Sequence, residues 1–276
     1  MRETEKKEER YLRILLKAIE TCMHYQPRLG GQEPVSIKQF LERYEADPFY
    51  HWMGLDIPEV YKAHRVGGGI TSLYRQLGIG CQWLFQQILI DHLGLSEEQT
   101  QWRYSVPRET GTTAFIELDA CVRLDAIRDT PARDSFAAWL HNAARMLQNV
   151  DANRLNGAVF EVRQGYKSRD SKRQNADIQS AARAYAEGYM PVMLLLSEQI
   201  DEVVAQRYAS AKWLILRGSR TGDSASSTYT FCQSVIGFDL AGFFERHSPI
   251  LRDAIRRVLE VLLDNAEAIE AERADF

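Results

Sequence analysis

Apolar positions recur at helical spacing toward both ends of the chain and at period two in its middle. Tyr11, Leu12, Ile14, Leu15, Leu16, Ala18 and Ile19 stand out of a highly charged background and predict a helix over 1–25. Polar turn residues fill 26–34, and a short helix follows over 36–43. Between Asp47 and Gly80 come many aromatics, two prolines and the triplet Gly67-Gly68-Gly69, which predict a flexible turn ahead of the next helix. The apolar run 77–93 reads as a buried helix, regular from about Cys81 because Gly78 and Gly80 weaken its start, and closed by Gly94.

The period changes at 113–125. Ile116, Leu118, Ala120, Val122 and Leu124 share one face of an extended chain; Phe115, Glu117, Asp119, Cys121, Arg123 and Asp125 share the other. Thirteen residues is long for one strand, so a bend is expected within it. A helix over 135–150 leads to a second strand over 158–166. There Val159, Glu161, Arg163, Gly165 and Lys167 alternate with Phe160, Val162, Gln164 and Tyr166. Next come a helix over 177–187 stopped by Gly188, a wholly apolar buried strand over 191–197, and a helix over 198–210 capped by Ser197. A short apolar strand over 213–216 and a Gly/Ser/Thr loop over 218–229 precede a closing helix over 249–272. That order predicts an α/β (α+β) fold, a mixed β-sheet core flanked by helices. The expected organisation is one compact domain: a helical N-terminal region over 1–110, a core over 111–248, and a C-terminal helix over 249–276 packing on it.

Composition narrows the function classes. The 276 residues are 45% hydrophobic and 26% charged, an ordinary globular balance with enough chain for a sizeable core. No apolar run approaches the ~20 residues of a membrane helix, so no membrane partner is expected. The charged start MRETEKKEERY is unlike a secretory signal. Cys22, Cys81, Cys121 and Cys232 lie 40 or more residues apart without a CxxC, which argues against a zinc ribbon and for a reducing, cytoplasmic setting. The six histidines form no HxH or HExxH, and the Gly67–Ser72 stretch lacks the lysine of a phosphate loop. A net charge of −4 argues against a basic nucleic-acid binder as a whole. Locally the balance reverses: 161–175 carries five Lys/Arg against two acids, whereas 250–276 carries four against seven.

A carboxylate, a guanidinium and an ammonium therefore line one side of a central strand, with acids on the strand before it. Burying such charges costs several kcal/mol per ion unless they are paired or bind a metal. Two acid-bearing strands facing one cleft would suit a hard divalent cation, with Lys/Arg beside it to meet a phosphate. The same residues also suit plain cross-strand ion pairs.

Asp125 on one strand, Glu161-Val162-Arg163 on the next, then a helix and an apolar strand, resemble the PD-(D/E)xK nuclease core. The run 161–178, EVRQGYKSRDSKRQNADI, resembles the ApaLI-like type II restriction endonucleases. The likeness spans roughly 113–217. It implies a restriction-endonuclease-like fold, Mg²⁺ as cofactor, double-stranded DNA cleaved at a short specific sequence, a homodimer, and the cytoplasm of a prokaryotic cell. Asp125 and Glu161 would hold the metal, with Asp119 the alternative to Asp125. The motif's lysine position holds Arg163, a departure that divides its role between Arg163 and Lys167. Arginine cannot accept a proton but clamps phosphate bidentately. In the following loop, Arg169, Lys172, Arg173, Gln174 and Asn175 have the side chains that meet phosphates and read base edges. A nuclease without sequence readout, or a non-catalytic DNA-binding protein on the same fold, is the alternative.

Overall fold

The computed structural model describes residues 3–107, 112–166 and 171–274, without the side chains of 107, 114, 171–173 and 264–274. Its architecture is mixed α+β, with a two-stranded antiparallel sheet, a four-stranded mixed sheet and a helical N-terminal stretch. Two compact units divide the chain: 1–11 with 81–246, and 12–80 with 247–276.

The first unit carries the strands. β1 (Trp102–Pro107) and β2 (Thr113–Leu118) form an antiparallel hairpin. β1 falls inside the stretch expected to be helical. Its alternating exposed and buried residues are too few to stand out from the flanking polar chain. After a bend at Asp119, β3 (Ala120–Arg123) begins the larger sheet, ordered β3-β4-β5-β6 with β4 (Gly157–Arg163), β5 (Tyr189–Leu195) and β6 (Leu214–Leu216). β3 runs antiparallel to β4; β4, β5 and β6 run parallel. Parallel neighbours need crossover connections. α6 (Ser171–Ala186) and α7 (Glu202–Ser210) supply them.

The two faces of β4 enter different cores. Phe160 packs edge-on against Phe85, stacks on Trp139 and meets Phe231. These rings come from α4 (Pro58–Leu93), α5 (Thr130–Met146) and α8 (Thr228–Phe231). On the opposite face Val159, Cys121, Met193 and Leu195 pack with Ala181 and Ala184 of α6 and with Val204 and Tyr208 of α7.

In the second unit, α1 (Glu3–Glu20) and α4 contribute their remaining turns beside α2 (Ile37–Ala46), α3 (Pro48–Trp52) and most of α9 (Leu240–Ala274). Ser36 caps α2 through a capping box with Gln39. Contrary to the expectation of a turn, Gly67-Gly68-Gly69 lies inside α4. Gly68 and Gly69 are there for proximity, whereas Gly67 faces open space. A Cβ on Gly68 would come within 2.0 Å of the Tyr25 hydroxyl, and one on Gly69 within 2.6 Å of Leu262 Cδ2. Three boundaries also move. α9 begins at Leu240 and encloses Pro249. α7 is capped by Asp201, whose carboxylate accepts from the Val203 and Val204 amides; Ser197 instead accepts from Gln199 N in a turn. α6 begins at Ser171, so part of the expected basic loop is helix.

Candidate carboxylate–guanidinium site

Strand register determines which acids meet. Ala120 pairs with Phe160 and Arg123 with Gly157. The chain therefore brings Asp119, at the bend, beside the Glu161 end of β4. The Asp119 Oδ2 accepts a 2.8 Å hydrogen bond from the Val162 amide, which fixes its carboxylate at the strand that bears Glu161. The Asp119 carbonyl is held in turn by Gln86 Nε2 at 2.6 Å.

Asp125 lies elsewhere. It sits in a 3-10 turn (Leu124–Ala126) beyond the end of β3, exposed to solvent. Leu124 already bonds to Asn156, before the first residue of β4. At ~3.3 Å per residue, that puts Asp125 on the order of 15–20 Å along the sheet from Glu161. The expected Asp125–Glu161 metal pair is thus corrected. An antiparallel register carries the two residues apart, and Asp119, the alternative, is the acid beside Glu161.

Glu161 and Arg163 share one face of β4, as period two requires, and both are buried, at 7% and 9% exposure. Arg163 Nη2 bridges two carboxylates, Glu161 Oε1 at 2.7 Å and Asp177 Oδ2 at 3.2 Å. Its Nε is buried with no hydrogen-bond acceptor. Burial opposes the guanidinium's charge, but Glu161, Asp177, Tyr166 and Tyr208 together outweigh that and raise its pKa above the ordinary value. The Tyr208 hydroxyl donates to Asp177 Oδ2 and lies 3.1 Å from the Tyr166 hydroxyl. Burial, then the bond to Asp177, drives the Tyr208 pKa upward, so its proton stays in place as a donor. Strict alternation places Tyr166 on the opposite face of the strand. β4 ends at Arg163, and the chain turns so that the Tyr166 ring lies under the guanidinium, 4.9 Å from Cζ to centroid.

Beyond β4, Lys167 and Arg169 lie outside the described residues, as do the side chains of Lys172 and Arg173. Gln174 is not a base-reading side chain: it is 4% exposed, and its Oε1 accepts from Arg207 Nη1 at 2.8 Å. Asn175 is exposed, with its Oδ1 accepting from Arg207 Nη2 at 2.5 Å. The helix that begins at Ser171 turns Gln174 inward, where a loop would have left it in solvent.

Motif and spacing do not single out Asp177, Tyr208 or Arg207. A signal for the first was present. Gln174, Asp177, Ala181 and Ala184 fall on one stripe of α6, so an acid stands where the buried face requires an apolar residue. Tyr208 follows Val204 on α7 in the same way.

Among the described residues no group of three or more His, Cys, Asp or Glu side chains is placed to hold a metal ion. Mg²⁺ does not demand one, since it commonly takes one or two carboxylates and completes its shell with water and substrate phosphate. The hard oxygen donors Asp119, at the bend before β3, and Glu161, on β4, fit that ion by their chemistry, with a cationic group beside them. They do not fit a softer metal, which would seek sulfur or imidazole. Cys121, the thiol on this face of the sheet, has its pKa pushed up to about 12 by burial and is an inert core residue. No helix among the described residues is long and apolar enough to cross a membrane.

No family model matches the chain, and neither a curated protein nor a solved structure is significantly similar to it.

Proposed function

We propose that the protein is a Mg²⁺-dependent endodeoxyribonuclease, in its most specific form a type II restriction endonuclease that cuts double-stranded DNA as a homodimer. The observation that carries this reading is Asp119 anchored beside Glu161, with Arg163 on the same strand face and a basic segment following at once. Asp119 and Glu161 would hold Mg²⁺. When bound, the ion supplies a Lewis acid for phosphoryl oxygens and a coordinated water of lowered pKa.

The chain's own residues do the rest. Arg163 is permanently charged and unable to act as a base, so its part is to hold a phosphate oxygen and offset charge that builds there. Asp177, itself held by Tyr208, orients the guanidinium. Lys167 is the remaining candidate for a lysine role at the scissile phosphate, and Arg169, Lys172 and Arg173 would meet flanking phosphates, which position the duplex without reading it.

The test is incubation of the full chain with long unmethylated DNA and Mg²⁺, followed by sequencing of fragment ends. Discrete ends sharing one short sequence, lost on chelation of the metal, are the expected result. A smear of random ends would mean a nuclease without sequence readout. Uncut DNA that is bound in a salt-sensitive way would contradict hydrolysis and leave a DNA-binding role.

A further inference from the structure

A second contact follows from how α7 holds the first turns of α6, and it rests on the nucleic-acid reading proposed above. Arg207 of α7 reaches two neighbouring amides of α6. Its Nη1 donates to Gln174 Oε1 at 2.8 Å and its Nη2 to Asn175 Oδ1 at 2.5 Å. A guanidinium only donates, so the atom it meets on each amide must be the oxygen. The two amides differ in what remains to them: Gln174 is buried, whereas Asn175 is exposed. With Oδ1 turned toward α7, the Asn175 Nδ2 faces away from it, and nothing among the described residues accepts from that nitrogen.

Charge identifies what it meets. Among the described residues Arg207 is bonded to those two amides and to no carboxylate. The acids at the start of α7 are committed elsewhere, Asp201 to the Val203 and Val204 amides and Glu202 to Arg217. The whole connection from β4 to β5, 164–188, carries five Lys/Arg against three acids. Of those acids, Asp177 and Glu187 are paired with Arg163 and Arg183, and Asp170 lies outside the described residues. A guanidinium without a carboxylate, beside an outward N–H donor, suits an anionic oxygen.

We propose that Asn175 and Arg207 together hold a DNA phosphate: Asn175 Nδ2 donates to a non-bridging oxygen, while Arg207 fixes the amide and supplies the charge. The other use of an exposed asparagine, a bidentate pair with adenine, needs Oδ1 and Nδ2 to face the base together. Arg207 turns Oδ1 the other way. The pair adjoins the carboxylate site. Tyr208, next to Arg207, donates to Asp177, which stands two residues and about 3 Å of helix axis beyond Asn175. Asp177 in turn accepts from Arg163 at 3.2 Å.

A phosphate contact acts on any sequence, so the probe is a labelled duplex of mixed sequence, about 30 base pairs long. It is titrated with the full chain by fluorescence anisotropy in EDTA at several salt concentrations. Asn175→Ala should weaken binding about tenfold, as loss of one hydrogen bond to a charged group does, and leave the salt dependence unchanged. Asn175→Asp should weaken it further, because a carboxylate then faces the phosphate. The same substitution completes an ion pair with Arg207, so it should melt no lower than the parent. Arg207→Gln should flatten the slope of log affinity against log salt by about 0.9, the share of one phosphate contact. A parent that binds while both Asn175 variants bind equally well would overturn the pair, as would an unchanged slope in Arg207→Gln. Weakening by Asn175→Ala confined to duplexes that carry the sequence found at cleaved ends would make Asn175 a base reader instead. A parent that binds no duplex would overturn the nucleic-acid reading itself, and the pair with it.

Discussion

A buried guanidinium is costly unless carboxylates meet it, and Arg163 meets two. Asp177→Asn keeps the shape of the contact but removes half of that neutralisation. It should lower stability by about 1.5–3 kcal/mol, the range for hydrogen bonds to charged groups, read as a shifted urea midpoint at unchanged slope. Equal midpoints would show that Glu161 alone balances Arg163. A different residue, His92, adds an acid-sensitive contribution. Burial first, and the Lys7 charge second, hold the His92 imidazole below its ordinary value, with Asp91 offsetting part of the effect. Its Nε2 is buried without a hydrogen-bond partner. A base with a depressed folded pKa takes its proton more readily in the unfolded chain. Its stabilising contribution is therefore complete above the unfolded value of 6.5 and is lost as pH falls from there through the folded value. Unfolding free energies at pH 7.5 and 5.5 should differ less in His92→Gln than in the parent; equal differences would remove His92 from the account.

At the scale of elements, α4 gives the sharpest prediction because its glycines differ in surroundings. Nothing lies within 4 Å of a Cβ on Gly67, whereas one on Gly69 would strike both methyls of buried Leu262. Gly67→Ala should stabilise by about 0.5–1 kcal/mol through helix propensity alone. Gly69→Ala should instead destabilise by about 1–3 kcal/mol through overpacking, despite the same propensity gain. Thermal melts of the two variants decide it, and shifts in the same direction would contradict the packing explanation. The same glycines show where sequence reading stopped. Periodicity located α1, α2, α5, β4, β5 and β6, and it anticipated the bend that became Asp119, because each such element has its own apolar face. It could not find that Gly68 and Gly69 serve close packing, since the neighbours, Tyr25 and Leu262, are distant in sequence. By contrast, Glu161 and Arg163 are legible from alternation along one strand. Their partners are not: Asp119 over Asp125 depends on cross-strand register, and Asp177 and Tyr208 arrive on crossover helices.

For the whole molecule, a net charge of −4 does not draw DNA to the surface at large, so under the proposed function association would rest on the basic segment over 161–175. Binding that depends on a few phosphate contacts falls steeply with salt. Cleavage should accordingly be sharper at low ionic strength. The central claim is that carboxylates of β4 and of the bend before β3 together make a metal-dependent phosphodiesterase site. Its most direct test is Mg²⁺-dependent nicking of supercoiled plasmid by the parent, Asp119→Asn, Glu161→Gln and Asp125→Asn, compared at equal concentration with folding checked by circular dichroism. The account predicts that the Asp119 and Glu161 variants lose cleavage by at least about a hundredfold, on the order of 3 kcal/mol, while Asp125→Asn stays within a few-fold of the parent. Loss in the Asp125 variant with retention in the Asp119 variant, or undiminished cleavage by Glu161→Gln, would contradict it.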